Sequence, residues 1–240
     1  MTLRTAACTH VGRRRRVNED RYALAPELGL YVVADGMGGH KAGQVASQLA
    51  VEAAPQAIKT LQGASVSMAE KLRHAVACAN REILVMSQKE SDLAGMGTTL
   101  VAVLATAERA ALAHVGDSRA YLIRSGQIRR LTDDHSVVGE LVRRREISEA
   151  AARAHPHRHV LTRALGIREF VEPDLAELTP AVGDVFVMCS DGLTSHVRDE
   201  EIAAATPVDC DLQDASDRLV RLANERGGED NITVVLLRFE

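Results

Sequence analysis

The chain has no tryptophan and only three phenylalanines and three tyrosines in 240 residues, so aromatic anchors cannot dominate its interior. Leu, Val, Ile and Ala must fill the core, which suits stacked layers of sheet and helix. Its four cysteines, Cys8, Cys78, Cys189 and Cys210, include no Cys-x-x-Cys pair. That excludes the paired-cysteine redox and zinc motifs, and reduced thiols in a cytoplasmic setting are expected. No apolar run approaches the ~20 residues of a membrane span, and the first ten residues carry no apolar signal core, so no membrane attachment is expected. Neither sign of charge dominates: 29 Lys and Arg stand against 33 Asp and Glu, and the net charge of -4 argues against general nucleic-acid binding. The local basic runs at 13–16 and 143–145 are expected on solvated faces.

With 46% hydrophobic residues the chain is long enough for one sizeable core, and residues 1–240 read as one domain. Strand-like runs fall at 3–11, 30–34, 98–105, 109–115, 119–123, 185–189 and 232–239. Helical periodicity covers 43–61, 68–88, 136–145 and 211–226, and Ser148 caps a further short helix. Strands and helices come in blocks rather than in strict alternation, which points to an α+β arrangement with helices covering sheet faces. The stretch from about 148 to 171 is the least regular and, with the helix before it, makes a candidate flap over 136–171. Three alternating histidines there, His155, His157 and His159, lack a Cys or Glu partner set, so zinc is a poor match.

Five acidic motifs punctuate the chain: Arg15-Arg-Val-Asn-Glu-Asp20, Val33-Ala-Asp-Gly-Met-Gly-Gly-His40, His114-Val-Gly-Asp-Ser-Arg119, Cys189-Ser-Asp-Gly-Leu-Thr194 and Gly227-Gly-Glu-Asp-Asn231. Asp35 and Asp191 each end an apolar run, so a strand is expected to carry each carboxylate to a sheet rim. Alone, Asp35-Gly36 or Asp191-Gly192 reads as a hairpin turn, and Asp117-Ser118-Arg119 as a tight turn between strands. Together they mean more. Acidic loops at the ends of several strands would repel one another if they converged unpaired, whereas divalent cations would convert that repulsion into binding.

With these motifs, and with Gly95-Met-Gly-Thr-Thr99, Leu131-Thr-Asp-Asp-His135, the 155–166 segment and Gly183-Asp184, the chain resembles the metal-dependent protein serine/threonine phosphatases (the protein phosphatase 2C family), most of all their compact bacterial members. The resemblance spans nearly the whole chain. It implies a four-layer α-β-β-α sandwich, two central antiparallel sheets flanked by helices, with a small flap. It also implies two Mn²⁺ or Mg²⁺ ions: Asp35 bridging both, the Gly36 carbonyl on the second, Asp191 and Asp230 on the first, with Glu19 and Asp20 acting through water. Similar bacterial members hold a third ion near the flap, which would fall on Asp117 and Asp191. Arg15 aligns with the family's phosphate-binding arginine, and a planar guanidinium can grip two phosphoryl oxygens at once.

The activity so implied is hydrolysis of phosphoserine or phosphothreonine in proteins by direct in-line attack of metal-activated hydroxide, without a covalent intermediate. Phosphorylated proteins, including products of a cognate bacterial serine/threonine kinase, are the implied partners of a signalling enzyme expected to be a monomer. The chain departs from some relatives at Met37, where they carry a histidine proposed as general acid; His40 or a metal-bound water is left for that role. Gln44 and His10 stand where similar sequences often carry Glu and Asp. Two alternatives remain open: a non-catalytic phosphoprotein-binding relative that has lost turnover, and a cysteine-dependent phosphatase using Cys8, whose spacing to Arg14 is formally Cys-x5-Arg.

Overall fold

The computed structural model describes residues 2–38 and 42–240. Two antiparallel sheets lie face to face with helices on both outer faces. The first sheet orders β1 (Leu3–His10), β11 (Ile232–Phe239), β10 (Val185–Cys189), β7 (Arg119–Arg124) and β8 (Gln127–Arg130). The second orders β2 (Asp20–Ala25), β3 (Leu30–Met37), β5 (Leu100–Ala105), β6 (Ala110–Val115) and β9 (Asp174–Leu178), with the two-residue β4 (Gly97–Thr98) pairing the end of β3. α1 (Ala42–Thr60) and α2 (Met68–Lys89) cover the second sheet, while α5 (Asp191–Thr194), α6 (Asp199–Ala205) and α7 (Leu212–Glu225) cover the first. Between β8 and β9 come α3 (Val137–Arg143) and α4 (Glu149–Arg153).

Alternation along the strands shows why the layers stack this way. In β3, Leu30, Val32 and Ala34 meet α1 and α2, while Tyr31 and Val33 face the other sheet. In β10, Val185, Val187 and Cys189 meet the helices of the opposite face, while Phe186 and Met188 enter the inter-sheet core. A strand covered on both faces reads as a continuous apolar run, and these are the runs visible in the sequence. Three strands had no such signal: β2, β8 and β9. Each is a sheet edge carrying charged residues in its span, as edges that avoid pairing with other chains commonly do. The short helices α5 and α6 also went unread, since four and seven residues give too little periodicity.

Helix starts follow their caps. Ser67 accepts from the Glu70 amide (3.1 Å) and Glu70 accepts from the Ser67 amide (2.9 Å), a full capping box for α2. Asp211 accepts from Gln213 and Asp214 at the start of α7, and Ser136 and Ser148 cap α3 and α4.

The inter-sheet core holds the few aromatics the chain has: Phe186 and Phe239 pack with ring centroids 5.5 Å apart, both fully buried. Phe186→Ala is therefore expected to cost about 3–5 kcal/mol in denaturant unfolding, against under about 0.5 kcal/mol for Phe170→Ala, whose side chain is in solvent. Equal losses would mean the sheets do not pack through Phe186.

Candidate active site

The acidic motifs meet at one rim of the sandwich. β3 carries Asp35 directly opposite Asp20 of β2. The Asp35 backbone is pinned from the neighbouring segment: its amide donates to Thr99 Oγ1 (3.0 Å), and its carbonyl accepts from Thr98 Oγ1 (2.8 Å) and the Thr99 amide (2.9 Å). From the other sheet, β10 ends at Cys189, Ser190 follows, and Asp191 opens α5. Ser190 Oγ donates to Asp20 Oδ2 (2.7 Å) while accepting from the Thr233 amide (2.9 Å), which ties the two sheets together under the rim. Asp117 lies in the turn from β6 to β7, and Asp230 lies two residues before the start of β11.

Neither Asp-Gly pair is a hairpin turn. Gly36 lies within β3 and Gly192 within α5, neither with a positive φ. What both positions require is closeness to another backbone: a Cβ at Gly36 would lie 2.0 Å from the Gly43 carbonyl oxygen, and one at Gly192 2.0 Å from that of Asn231. The crossing segments rather than a ligand set this constraint.

A cleft of about 380 Å³ opens at the rim, its wall including Arg15, Asp35, Gly36, Asp117, Asp191 and Asp230. Glu19 also lines it, and Met37 sits beside Gly36. Of the four consecutive arginines only Arg15 reaches this wall, with Nη2 2.7 Å from Asp230 Oδ2 and Nη1 4.0 Å from Glu19 Oε2. Asp20 is buried behind the wall rather than on it. His40 lies outside the described residues.

The electrostatics of this cleft are those of a site built for cations. Burial pushes the Asp35 carboxyl well above the usual carboxylate range, and the charges of Asp20, Asp191, Asp117 and Asp230 push it further. Asp117 is raised likewise, by burial and then by Asp191 and Asp134; Asp191 is raised by burial and then by Asp230. Asp20 reaches about 7, driven by burial against the opposing hydrogen bonds of Ser190 and Thr233. Its Oδ1 is buried with no hydrogen-bond partner among the described residues. Hard carboxylate oxygens, mutually repelling and one of them unsatisfied, fit divalent ions such as Mn²⁺ and Mg²⁺.

A tighter His/Asp group lies nearby: donor atoms of His114, His135 and Asp174 fall within 4.8 Å of one another. Its hydrogen bonding is not that of a metal site. His135 Nδ1 accepts from the Gly116 amide (3.1 Å), so the neutral ring carries its proton on Nε2, 3.1 Å from Asp174 Oδ2. His135 braces the turn that presents Asp117, while both ring nitrogens of His114 are buried without a hydrogen-bond partner among the described residues.

Several contributors had no separate signal in the sequence. Asn231 accepts from the Glu19 amide (2.7 Å) and donates to the Val11 and Val17 carbonyls (2.9 and 3.0 Å), so one side chain holds the loop bearing Arg15 and Glu19 against the rim. It stood in a motif but read as a polar loop residue. His159 comes from the irregular 148–171 stretch, with Nδ1 3.9 Å from Asp191 Oδ2, and His196 and Glu229 complete the wall. Cys8 does not line the cleft. It lies within β1, opposite Val234, and burial followed by Asp217 pushes its thiol up to about 11, the opposite of what a nucleophilic thiolate needs.

Fold and cleft together define a class, the α-β-β-α sandwiches with an acidic rim suited to divalent ions. Within it, the chain belongs to the protein phosphatase 2C family, whose model matches residues 9–236. It is 41% identical over 236 residues to the serine/threonine phosphatase stp of Listeria monocytogenes, covering 95% of this chain and 93% of that one. The crystal structure of the Mycobacterium tuberculosis serine/threonine phosphatase PstP/Ppp superposes over the full length of both chains with a TM-score of 0.92 and 39% identity. The catalytic domain of PstP in complex with two manganese ions matches 98% of this chain and 97% of its own, with a TM-score of 0.85 and 38% identity.

A carboxyl whose native pKa lies above its unfolded value stabilises the fold fully below the unfolded value, and that contribution is lost as pH rises through the native pKa, about 7 for Asp20. Metal-stripped protein is therefore expected to lose melting temperature across about pH 6.5 to 7.5, around the native pKa of Asp20, against a smaller opposing contribution from buried neutral His114, which takes up protons on unfolding near pH 6.5. Asp20→Asn should flatten that decline, and Mn²⁺ should raise the melting temperature more at the upper pH than at the lower. A metal-free melting temperature that climbs across this window would contradict the convergence.

Proposed function

We propose that this protein hydrolyses phosphoserine and phosphothreonine in proteins at a two-ion Mn²⁺ or Mg²⁺ centre. The observation that carries this reading is the arrival of four carboxylates, Asp35, Asp117, Asp191 and Asp230, from four separate motifs on one cleft that also holds Arg15. Asp35 would bridge the two ions, with the Gly36 carbonyl on one and Asp191 and Asp230 on the other. Glu19 and the buried Asp20 would hold their waters, and a third ion near the flap would use Asp117 with Asp191. Bound ions of this kind activate water as a nucleophile and stabilise both the attacking and the leaving oxygen.

The chain's own residues supply the rest. Arg15 is paired with Asp230 (2.7 Å). With a cation held at Asp230, the guanidinium would be free to turn its paired N–H groups to the phosphoryl oxygens. The side chain is about half exposed, so this swing displaces no core packing. Met37 lines the cleft and has no proton to give, so His40 or a metal-held water would have to supply the proton to the leaving oxygen. The whole chain acts as one catalytic domain, with residues 136–171 as the flap. The substrates are phosphoproteins, among them products of a cognate serine/threonine kinase, and the enzyme works as a cytoplasmic monomer. Among the described residues no helix is long and apolar enough to cross a membrane, and all four cysteines are free.

A non-catalytic relative would be expected to lose at least one of the acidic positions, and all of them remain. With p-nitrophenyl phosphate and a phosphothreonine peptide, activity should require Mn²⁺ or Mg²⁺ and vanish in excess chelator. Asp191→Ala should lower kcat/KM at least about a hundredfold (~2.7 kcal/mol), and Arg15→Ala about ten- to a hundredfold. Full activity in chelator would exclude the metal mechanism, and inactivity under every condition would favour a binding role.

A further inference from the structure

Beside the acidic cleft lies a second and larger cavity of about 490 Å³, and the two share Asp117, His159, Asp191, Ser195, His196 and Glu229. Away from that shared wall its character reverses. Five arginines line it, Arg119, Arg130, Arg143, Arg153 and Arg158, against three carboxylates, Asp133, Asp134 and Glu149. The first two arginines are committed. Arg119 grips Asp134 through both Nε (3.0 Å) and Nη2 (2.7 Å), and Arg130 Nη2 reaches the same carboxylate at 2.5 Å. Burial pushes Asp134 up, but these hydrogen bonds and the Arg119 charge outweigh it and hold the carboxyl below its ordinary value. One buried carboxylate thus faces two guanidiniums and leaves a positive floor.

The outer wall is less committed still. Arg143 meets Asp133 only at 3.9 Å, and Asp133 is largely in solvent. Arg153, in the last turn of α4, and Arg158, next to His159, have no carboxylate partner among the described residues. The basic run at 143–145 is exposed, as expected, and Arg143 also lines the mouth of this cavity. Guanidiniums left without carboxylates around a concave space, one wall of which is the cleft itself, are a receptor for an anion carried by whatever occupies that cleft.

We propose that this cavity receives a second phosphoryl group on the same substrate chain, so that the preferred substrates are segments phosphorylated at two nearby residues. The inference deepens the phosphatase reading and rests on it. A phosphoryl group fits better than a carboxylate because its second pKa near 6 makes it close to a dianion at neutral pH, with three acceptor oxygens for the forked donors of Arg153 and Arg158. A compact cavity of this volume is about 10 Å across, the reach of about three extended residues at ~3.3 Å each, which sets the spacing between the two phosphorylated positions. The flap carries both free arginines, so the element that closes over the cleft would also read its neighbour.

The test compares kcat/KM, with Mn²⁺ present, on three peptides of one sequence: phosphothreonine alone, the same with a second phosphothreonine two or three residues away, and the same with glutamate there. Wild type should favour the doubly phosphorylated peptide at least about tenfold over the singly phosphorylated one, mainly through KM, and glutamate should recover only part of the gain. Arg153→Gln with Arg158→Gln should bring the preference below about twofold, whereas Arg144→Gln, outside the cavity, should leave it. Both target arginines are exposed, so the double variant should fold, which its melting temperature will show. No preference in wild type, a preference that survives the double variant, or a glutamate gain equal to the phosphate gain would each overturn the assignment. Wild type that turns over neither the peptides nor p-nitrophenyl phosphate would instead sink the phosphatase reading, and this inference with it.

Discussion

The convergence of Asp35, Asp117, Asp191 and Asp230 is the constraint around which the rest of the molecule is arranged. Like charges brought into a partly desolvated cleft oppose folding, and among the described residues the cleft wall itself offers only Arg15 as a permanently positive group. Without ions, protonation is the way this chain can relieve the repulsion, which is why burial and neighbouring charges drive Asp35, Asp117 and Asp191 upward together. The scaffold must hold the carboxylates in place against that force. It does so with backbone: Asp35 is clamped by Thr98 and Thr99, and Ser190 bridges Asp20 to β11. Asn231 straps the Arg15 loop to the same edge. Removing any strap would relax the cleft by letting one charge move away, so the straps and the charges must be understood as one unit.

Much of this was legible in the sequence, and for a definite reason. Strands buried on both faces, such as β3, β10 and β11, appear as unbroken apolar runs, and the acidic residue beside one end of each run, after the apolar stretch of β3 and of β10 and before that of β11, marks the rim where solvent begins. Position at a strand end is a one-dimensional property, so the meeting of Asp35, Asp191 and Asp230 could be anticipated. The edge strands β2, β8 and β9 could not be read the same way, because an edge with one wet face mixes charge with apolar residues and resembles a loop. Asn231, Ser190 and His159 went unread for a different reason. Each acts through hydrogen bonds or a contact to residues far away in the chain, and nothing local distinguishes such a residue from any other polar loop position.

The glycines show how a correct motif can carry an incorrect reason. Gly36 and Gly192, taken alone, read as hairpin turns, and they are not turns. Each lies under a crossing strand or helix start so close that a Cβ would meet a carbonyl oxygen at 2.0 Å. This ties the acidic residue to a fold-wide packing requirement: the segment that bears Asp35 can sit where it does only if Gly43 can lie against it, and Asp191 only if Asn231 can. The Asp-Gly pair is thus a device for seating a charged side chain at a crossing of two segments.

The polarity of the two cavities also fixes an order of events. Before ions bind, the cleft is negative and would repel a phosphorylated segment, while the neighbouring cavity, with Arg143, Arg153 and Arg158 on its wall, would attract one. A substrate arriving first would therefore be drawn to the flap side and held away from the carboxylates. Cations on the carboxylates would reverse the sign of the cleft and would release Arg15 from its pairing with Asp230, so that both cavities would then favour phosphoryl groups. Productive binding should accordingly depend on prior metal binding, and the coupling runs through the shared wall at Asp117, Asp191 and His159, where the two fields meet.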